Sequence, residues 1–290
     1  MTRHAAQMAI LSIQSAVAYG SVGNAAAVFP LQRLGFEVWR VDTVLFSNHT
    51  GYGAWRGRAI DPVLVGEILR GIEERGVFAR CEAVLSGYLG TVELGAVVLE
   101  AVARVKAANP GAVYCCDPVL GDQERGLFAQ PELKDFFRER ALARADIVTP
   151  NAFELGILAE MPVDTMPAVG AAVAHLLRHG PKLVLVTSLA VEGIAATEVA
   201  MLVATPDAGH LVCTPRIDMV ANGAGDLTAA LFLGHYLRDG DPTRALAQSA
   251  AGVHAVLSET KRLGAEELAI VAAQEALVAP PRRFAVERVF

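Results

Sequence analysis

Short apolar runs alternate with helical patterns along most of this 290-residue chain, and this alternation limits its possible folds more than any other feature. Several runs, such as residues 112–116 and 183–187, are apolar almost throughout, which is typical of parallel strands covered on both faces. The alternation predicts an α/β fold with a central, mostly parallel sheet and helices on both faces, in a single domain of residues 1–290. The predicted strands are residues 8–13, 37–42, 83–86, 112–116, 147–148, 183–187, 201–204 and 211–214. The predicted helices are residues 24–34, 62–74, 92–109, 131–143, 151–158, 166–179, 226–238, 243–259 and 266–279.

A glycine-rich stretch, Asn-Gly-Ala-Gly-Asp at residues 222–226, stands directly before a predicted helix. Gly223 and Gly225 allow backbone N–H groups to turn toward a ligand without a Cβ in the way. The helix adds unpaired N–H donors and the positive end of its dipole, which together suit an anion such as phosphate. A carboxylate would repel a phosphate beside it, so its presence there calls for an explanation. Taking a proton from an attacking hydroxyl is one such explanation. Asp226 is therefore a candidate general base, with a plain helix cap as the alternative.

Acidic residues follow two other predicted strands, at the edge where ligands of such sheets bind. Asp117 and Asp122 flank a Pro-Val-Leu-Gly turn, and two acids at this spacing could hold Mg²⁺ directly or through water. Asn151 and Glu154 fit the first turn of the next helix, where Glu154 would touch Mg²⁺ or its water shell. The structural alternative is a capped turn with solvated acids in the first case, and a helix cap formed by Thr149 or Asn151 in the second.

A second group of strand-end residues suits a flat, polar ligand. Ser15 and the small polar residues 47–50 offer hydrogen-bonding groups, and His49 is a candidate because it lies among them. His235 and His254 fall in predicted helices and are expected to be structural. Four aromatic residues could form a wall for a flat ring, with core packing as the simpler alternative for each: Phe46, Tyr52, Trp55 and Tyr88.

Composition and charge predict neither a nucleic-acid partner nor a membrane span. The hydrophobic fraction is 53% and the charged fraction 19%, so a large core can form. The net charge is −6 and no basic run occurs, which disfavours nucleic-acid binding. No apolar segment reaches membrane-spanning length without a charged, polar or glycine break. We expect no leader sequence in residues 1–7 and reduced, buried thiols in a cytoplasmic protein at Cys81, Cys115, Cys116 and Cys213.

Taken together, these segments resemble the ribokinase-type small-molecule kinases and, within them, the pyridoxal kinases. The resemblance covers most of the chain. Its most specific piece is Phe-Ser-Asn-His-Thr-Gly-Tyr at residues 46–52, which singles out pyridoxal kinases. The other pieces are Ile-Gln-Ser at residues 13–15 with Tyr19-Gly20 and Gly23-Asn24 behind it, Ser86-Gly87-Tyr88, residues 116–122, residues 146–154 and residues 223–226.

The resemblance implies a ribokinase-like fold and ATP-dependent phosphorylation of the 5′-hydroxymethyl group of pyridoxal in vitamin B6 salvage, with pyridoxine and pyridoxamine left open. It implies that Asp226 is the catalytic base and that the amides of Gly223, Ala224 and Gly225 hold the transferring phosphate. The substrate-binding residues that it implies are Ser15, Val22, Phe46, His49, Thr50, Tyr88 and Asp226. The ATP-binding residues are Asp117, Thr149, Asn151, Glu154, Thr187, Ser188, Val220, Gly223 and Gly225. The metal-binding residues are Asp117, Asp122, Thr149 and Glu154, which the resemblance assigns to Mg²⁺ together with a monovalent cation, K⁺ or Na⁺. A homodimer is also implied.

Two other functions stay open from the sequence. One is a kinase of the same fold that acts on hydroxymethylpyrimidine, a related heterocycle or a sugar. The other is a non-catalytic vitamin-binding protein, which would be expected to lose Asp226 first. A dinucleotide-binding oxidoreductase is disfavoured because residues 14–24 lack the G-x-G-x-x-G pattern. One departure from the family is Ala224, which stands where a threonine is usual and removes a side-chain hydroxyl.

Overall fold

The computed structural model describes residues 8–290, so the expected absence of a leader in residues 1–7 lies outside the described residues. Its strands are β1 (Ala9–Val17), β2 (Glu37–Phe46), β3 (Gly57–Ala59), β4 (Cys81–Ser86), β5 (Val113–Cys116), β6 (Gly121–Asp122), β7 (Gly126–Leu127), β8 (Ile147–Val148), β9 (Leu183–Leu189), β10 (Glu198–Thr205), β11 (Ala208–Pro215) and β12 (Val286–Arg288). Its α-helices are α1 (Asn24–Arg33), α2 (Pro62–Glu73), α3 (Val92–Ala108), α4 (Pro131–Phe136), α5 (Ala152–Ala159), α6 (Met166–Arg178), α7 (Ala224–Asp239), α8 (Pro242–Leu263) and α9 (Gln274–Val278).

One ten-stranded sheet organises the molecule, in the order β12-β11-β10-β9-β8-β5-β4-β1-β2-β3, and β6 and β7 form a separate hairpin. The six central strands pair in parallel, as predicted. The edges are antiparallel: β3 pairs with β2, and β10 to β12 extend the other side. The chain leaves β1 toward β2 and then returns to the opposite side of β1 for β4. This reversal of strand order creates the switch point at which open α/β sheets bind ligands.

Alternate residues of the central strands enter two hydrophobic cores, one on each face of the sheet. On β1, Leu11 and Ile13 pack on the side of α2 to α6, whereas Ile10 packs on the side of α1, α7, α8 and α9. All three side chains are fully buried. Helices therefore cover both faces, as predicted, and this explains why the strands are apolar almost throughout. Within residues 8–290, no helix combines the length and apolar character needed to cross a membrane.

Strands β1 and β2 extend beyond their predicted ends, at residues 13 and 42. After residue 13 the polar Gln14 and Ser15 suggest a loop, but Ala16 and Val17 still pair with Leu45 and Phe46, which lie beyond the predicted end of β2. A register shift between Gln14 and Ala16 interrupts the pairing without ending it. Ser15 and Phe46 therefore lie on strands and not in the loops where they were predicted. Ser188 likewise belongs to β9, beyond the predicted strand end at Thr187.

The predicted helix at residues 266–279 is wrong over its first half, because only α9 is α-helical there. Gly264 ends α8 with φ at 60°. The backbone N–H of Ala269 then donates to the Thr260 hydroxyl at 2.9 Å, and not to a helical carbonyl. Leu268 and Ile270 are nevertheless buried, so the helix-like apolar spacing reflects tertiary packing. A smaller difference follows α4, where the predicted helix continues as a π turn at Phe137–Ala141 and a 3₁₀ turn at Leu142–Arg144.

Candidate functional site

Helix α7 begins in a glycine cradle. Gly223 stands at its N-cap with φ at 83°, and a Cβ there would overlap the carbonyl oxygen of Ser21, so only glycine fits. No side chain caps the first turn of the helix. The space beside Gly225 is open, with nothing within 4 Å of where its Cβ would stand. Uncapped N–H donors at an open helix start form a place for an anion, as the sequence predicts.

Asp226 lies in the first turn of α7 and is half-buried. Burial raises the pKa of its carboxyl group to about 6, although the backbone N–H groups of Gly23 and of Asp226 itself lower it. A carboxyl group with this pKa is ionised at neutral pH and is a better proton acceptor than an exposed aspartate. Its N–H partner Gly23 belongs to the β1–α1 loop, so that loop contributes to the setting of the acid.

Asp117 lies directly after β5, and Thr149 lies directly after β8. Both are buried, and the Thr149 hydroxyl donates to Asp117 Oδ1 at 2.9 Å. The pKa of Asp117 is well above its usual value because of burial and the negative charges of Glu154 and Asp226. No basic group appears among these influences. A buried acid that is repelled by two others, with no basic partner, provides a suitable donor for a cation.

Glu154 and Asn151 form a reciprocal cap at the start of α5. Glu154 accepts the backbone N–H groups of Leu120 and Asn151, each at 2.9 Å, and that of Gly121 at 3.3 Å. The Asn151 side chain accepts from Glu154 N–H and donates to the Gly121 carbonyl. Burial raises the pKa of Glu154 to about 7. The helix cap that the sequence offers as the structural alternative is therefore present. Any contact of Glu154 or Asn151 with metal or ATP stays a prediction.

Asp122 is engaged in the β6–β7 hairpin. Arg125 Nε donates to Asp122 Oδ2 at 2.7 Å, and the backbone N–H groups of Glu124 and Arg125 donate to Oδ1. Burial acts to raise the pKa of Asp122, but the hydrogen bonds from Arg125 outweigh it and the pKa is lowered. Across residues 8–290, no group of three or more His, Cys, Asp or Glu side chains is arranged to hold a metal ion. The predicted metal role of Asp122 is untested by this geometry.

The end of β9 lies beside the Asn151 cap. Thr187 forms an isolated parallel bridge with Asn151, and its N–H donates to the Pro150 carbonyl at 3.0 Å. The next residue, Ser188, is exposed and has φ at 55° although it is not glycine. Such a conformation costs free energy for a residue other than glycine, and residues of this kind are enriched at ligand sites. Val220 is 73% exposed, and its predicted place beside the adenine stays a prediction.

The aromatic residues lie around the ends of β1, β2 and β4. Phe46 is the last residue of β2, with its ring 6.3 Å from that of Trp55. His49 caps the turn Thr50–Tyr52 by accepting the Gly51 N–H on Nδ1 at 3.1 Å. Burial and the charge of Arg125 lower the pKa of His49, so its ring is neutral at pH 7. Thr50 is exposed and Tyr88 is half-buried, which leaves both available to a ligand.

The site therefore has two ends. We call Asp117, Thr149, Glu154 and Asp226 the acidic end, and Phe46, His49, Thr50, Tyr52 and Tyr88 the aromatic end. The β1–α1 loop connects the two ends. Its Gly23 packs so closely on Ser15 that a Cβ would overlap the Ser15 carbonyl, and the Gly23 N–H lowers the pKa of Asp226. The buried Val22 belongs to the same loop.

Sequence reasoning missed three residues that shape this site: Ser21, Arg125 and Glu267. Ser21 packs on the cradle, Arg125 pairs with Asp122, and Glu267 accepts hydrogen bonds from two loops of the site. Ser21 lies between Gly20 and Gly23 in the loop after the first strand, but the residue itself carried no signal, and neither Arg125 nor Glu267 directly follows a predicted strand. Glu267 was also hidden by the incorrect helix at residues 266–279.

Comparisons with known proteins show the family to which the chain belongs. A family model described as phosphomethylpyrimidine kinase matches residues 59–270. The chain is 57% identical over 281 residues to a pyridoxal kinase PdxY of Rubrobacter xylanophilus, covering 97% of each chain. It is 50% identical to a pyridoxal kinase PdxY of Deinococcus radiodurans, covering 97% of this chain and 96% of the relative. The chain belongs to the pyridoxal kinase family.

Solved structures of pyridoxal kinases share the fold. The pyridoxal kinase from Leishmania donovani in complex with ADP and pyridoxamine superimposes with a TM-score of 0.91 at 28% identity, covering 98% of this chain and 100% of that one. The pyridoxal kinase from Entamoeba histolytica gives a TM-score of 0.89 at 25% identity, with coverage of 98% and 100%. The predicted ribokinase-like fold and the predicted membership of a family of nucleotide-dependent kinases are confirmed.

Proposed function

We propose that this protein transfers the terminal phosphate of ATP to the 5′-hydroxymethyl group of pyridoxal. The observation that carries the proposal is Asp226 at the open, glycine-built start of α7. An anion site and a proton acceptor then lie within one helical turn, which is what phosphoryl transfer to a hydroxyl requires. Family membership supports this substrate, since relatives at 50% identity and above are named pyridoxal kinases.

In the proposed reaction, the amides of residues 223–226 hold the phosphate while Asp226 orients the hydroxymethyl group and accepts its proton. Phosphoryl transfer depends mainly on positioning and charge neutralisation, with little covalent work for the protein. The raised pKa of Asp226 suits this task, because it strengthens the carboxylate as a base while leaving it ionised at pH 7. Backbone amides form the cradle, so Ala224 in place of threonine leaves it intact.

Mg²⁺ would neutralise charge on the phosphates of ATP when it is bound. Mg²⁺ commonly uses one or two carboxylates and completes its shell with water and phosphate oxygens, so an all-protein cage is not needed. Asp117 is the best candidate ligand, because it is buried, repelled by two acids and held by Thr149. Asp122 and Glu154 would act through water, since both already accept backbone hydrogen bonds.

The end of β9 is the proposed place for a monovalent cation and the phosphates of ATP. The left-handed backbone at Ser188 breaks the regular strand geometry and leaves this exposed residue free to turn toward a ligand. Thr187 and Asn151 are tied to one another by the bridge between β9 and the start of α5. K⁺ and Na⁺ both remain candidates for the cation, and Val220 would border the adenine.

The pyridine ring would lie at the aromatic end, against Phe46, His49 and Tyr88. Ser15 and Thr50 would hydrogen-bond to the ring nitrogen and substituents, and the buried Val22 would close the floor. Because His49 accepts a backbone N–H on Nδ1, its neutral ring has the proton on Nε2 and can donate toward a ligand. We also infer a single domain, a homodimer and a cytoplasmic location, as the sequence predicts.

The test is phosphorylation by the purified protein with ATP and Mg²⁺, offering pyridoxal, pyridoxine, pyridoxamine and hydroxymethylpyrimidine in parallel. We expect pyridoxal 5′-phosphate to be formed faster than any product of the pyrimidine. Phosphorylation of the pyrimidine alone would keep the fold and Asp226 but overturn the substrate, in line with the description of the family model. No turnover on any compound, with pyridoxal still bound, would favour a non-catalytic vitamin-binding protein.

A further inference from the structure

Glu267 joins two loops of the site through one carboxylate. Its Oε2 accepts the backbone N–H of Ser21 in the β1–α1 loop at 2.9 Å. Its Oε1 accepts the Tyr52 hydroxyl at 2.8 Å, at the end of the turn that carries Thr50. Each oxygen therefore accepts a hydrogen bond from a different loop, and both donors lie far from Glu267 in the sequence.

The β1–α1 loop is shaped to receive this carboxylate. Gly20 has φ at 108°, and a Cβ there would lie 2.7–2.8 Å from the Glu267 carboxyl atoms. A side chain at Gly20 would therefore push the carboxylate away. The Ser21 hydroxyl also faces the Leu268 carbonyl at 3.4 Å. The close approach thus depends on a glycine where no other residue fits without strain.

The Ser21 contact leads directly to the acidic end. The Ser21 carbonyl packs against Gly223 so closely that no Cβ fits between them. Two residues further along, the backbone N–H of Gly23 lowers the pKa of the Asp226 carboxyl group. A shift of Ser21 would therefore move the glycine cradle and, with it, the loop that faces the proposed base.

The Tyr52 contact leads to the aromatic end. Burial does little to hold the turn Thr50–Tyr52, because all three of its residues are exposed. The Tyr52 ring lies 6.1 Å from the Tyr19 ring, which is itself exposed. The hydrogen bond to Glu267 raises the pKa of the Tyr52 hydroxyl, so this group stays a donor at any working pH.

Glu267 is itself firmly placed. The segment after α8 is held by the buried residues Leu268 and Ile270, and by the Ala269 N–H bonded to Thr260. A fixed carboxylate that contacts two adjustable loops can set the distance between them. The neighbouring Glu266 is exposed and makes no hydrogen bond within the described residues, so the arrangement is specific to one of two adjacent glutamates.

We propose that Glu267 is a positioning residue that fixes the pyridoxal-facing turn relative to the cradle and Asp226. The proposal rests on the proposed function. Loss of the carboxylate frees both loops, and loss of the Tyr52 hydroxyl frees only the turn. Loss of the carboxylate is therefore expected to change both kcat and KM, and loss of the Tyr52 hydroxyl to change KM alone.

The experiment compares Glu267→Ala, Glu267→Gln and Tyr52→Phe with Glu266→Ala as the matched control. We expect Glu267→Ala to lower kcat and to raise the KM for pyridoxal, each by roughly tenfold, since hydrogen bonds to charged groups contribute the most. Tyr52→Phe should raise the KM about threefold and leave kcat nearly unchanged. Glu267→Gln should recover most of both losses, because its amide can accept from Ser21 and donate to Tyr52. Glu266→Ala should stay within about twofold of the wild type, as is usual for an exposed surface side chain.

A second readout needs no substrate. Arg56 and Arg58 are exposed in the segment that follows Tyr52, with Arg58 inside β3, so cleavage by trypsin reports how often the turn and β3 open together. Cleavage there should be several-fold faster in Glu267→Ala and Tyr52→Phe than in Glu266→Ala. The double variant Glu267→Ala/Tyr52→Phe should raise the KM no more than Glu267→Ala alone, because both changes remove the same contact.

Equal kinetics and equal cleavage in Glu267→Ala and Glu266→Ala would overturn the proposal. If Glu267→Ala does not fold, Glu267→Gln and Tyr52→Phe decide the matter: wild-type KM and wild-type cleavage in Tyr52→Phe would overturn it. If the wild type does not phosphorylate pyridoxal, the proposed function fails. The cleavage comparison then still shows whether Glu267 holds the turn.

Discussion

The acidic end is fixed by secondary structure, whereas the aromatic end depends on individual hydrogen bonds. Asp117 and Thr149 sit directly after two buried strands, and Asp226 sits in the first turn of a long helix. Thr50 and Tyr52 lie in an exposed turn that His49 caps and Glu267 holds. The end that we propose for the chemistry is thus built into regular secondary structure but electrostatically unfavourable without a cation, and the end that we propose for the ring is neutral and adjustable.

Electrostatics accounts for this difference. At the acidic end, burial raises the pKa values of Asp117, Glu154 and Asp226, and repulsion by the charges of Glu154 and Asp226 raises that of Asp117 further. Such repulsion is tolerated only where a stiff scaffold holds the groups in place. At the aromatic end, His49 is neutral and contacts are local. Damage at the acidic end should therefore lower kcat, and damage at the aromatic end should raise KM.

The largest expected effect is that of Asp226→Asn. Removing the proton acceptor should lower kcat by about 10²–10⁴-fold, the usual contribution of a general base. ADP binding should be retained, because the backbone cradle does not use this side chain. Steady-state kinetics with pyridoxal and calorimetric titration with ADP give the two values. Wild-type turnover in this variant would remove Asp226 from the proposed role.

Asp117→Asn should separate metal binding from folding. The Mg²⁺ concentration for half-maximal rate should rise about tenfold or more, as expected when a metal ligand loses its charge. Stability without metal should rise at pH 8, because a repelled, buried carboxylate is removed while its oxygen still accepts from Thr149. Thermal unfolding measures the second effect. Glu124→Gln, an exposed acid of the neighbouring hairpin, is the control and should change neither value.

Gly223→Ala and Gly225→Ala test how rigid the cradle is. Alanine at Gly223 combines a positive φ with overlap on Ser21, and should lower the free energy of unfolding by about 1–3 kcal/mol. Gly225 lies inside α7, and the Cβ of an alanine there would meet nothing within 4 Å. This substitution should raise the free energy of unfolding by up to about 1 kcal/mol. Urea unfolding measures both. Equal destabilisation would show that the cradle does not depend on contact with Ser21.

The pH dependence should have opposite signs for activity and stability. Since the pKa of Asp226 is about 6, kcat/KM should be level above about pH 7 and fall tenfold per unit well below pH 6. Raised carboxyl pKa values mean that the folded state binds more protons than the unfolded state between about pH 4 and 7. In this window the contribution of these groups to stability therefore decreases as pH rises. Parallel pH–rate and thermal-unfolding series check both signs.

Phe46→Ala should have the smallest effect. Loss of one aromatic contact costs about 0.5–1.5 kcal/mol in addition to the loss of buried apolar area. This corresponds to a roughly two- to tenfold higher KM for pyridoxal, with kcat little changed. Leu45→Ala is the control, because adjacent strand residues point to opposite faces and Leu45 is 53% exposed. Steady-state kinetics of Phe46→Ala and Leu45→Ala measures kcat and the KM for pyridoxal in each variant. A fall in kcat without a rise in KM would contradict the assignment of Phe46 to the ring.

Sequence alone predicted the acidic end better than the aromatic end. Asp117, Thr149 and Asp226 follow buried strands or glycines, so strand–helix alternation locates them. The end of β1 was misplaced because Gln14 and Ser15 are polar yet still on a strand, and the end of β2 was placed four residues too early. Pairing with β2 overrides the local polarity, and pairing is not visible in a single segment.

The contact between Glu267 and Tyr52 could not be predicted from the sequence for a related reason. Its partners are far apart in the chain, and Glu267 falls in a segment with helical spacing that does not form a helix. The positive φ at Gly264 and the side-chain contact at Thr260 redirect the chain there. Only the packed structure brings this carboxylate to the two loops.

The most direct test of the division between the two ends is the kinetics of Asp226→Asn and Phe46→Ala in one assay, with pyridoxal as the varied substrate. The account predicts that Asp226→Asn lowers kcat by at least about 10²-fold with the KM within about threefold. It predicts that Phe46→Ala raises the KM with kcat within about threefold. If both variants change the same constant by similar factors, the two ends do not divide the work and the account is contradicted.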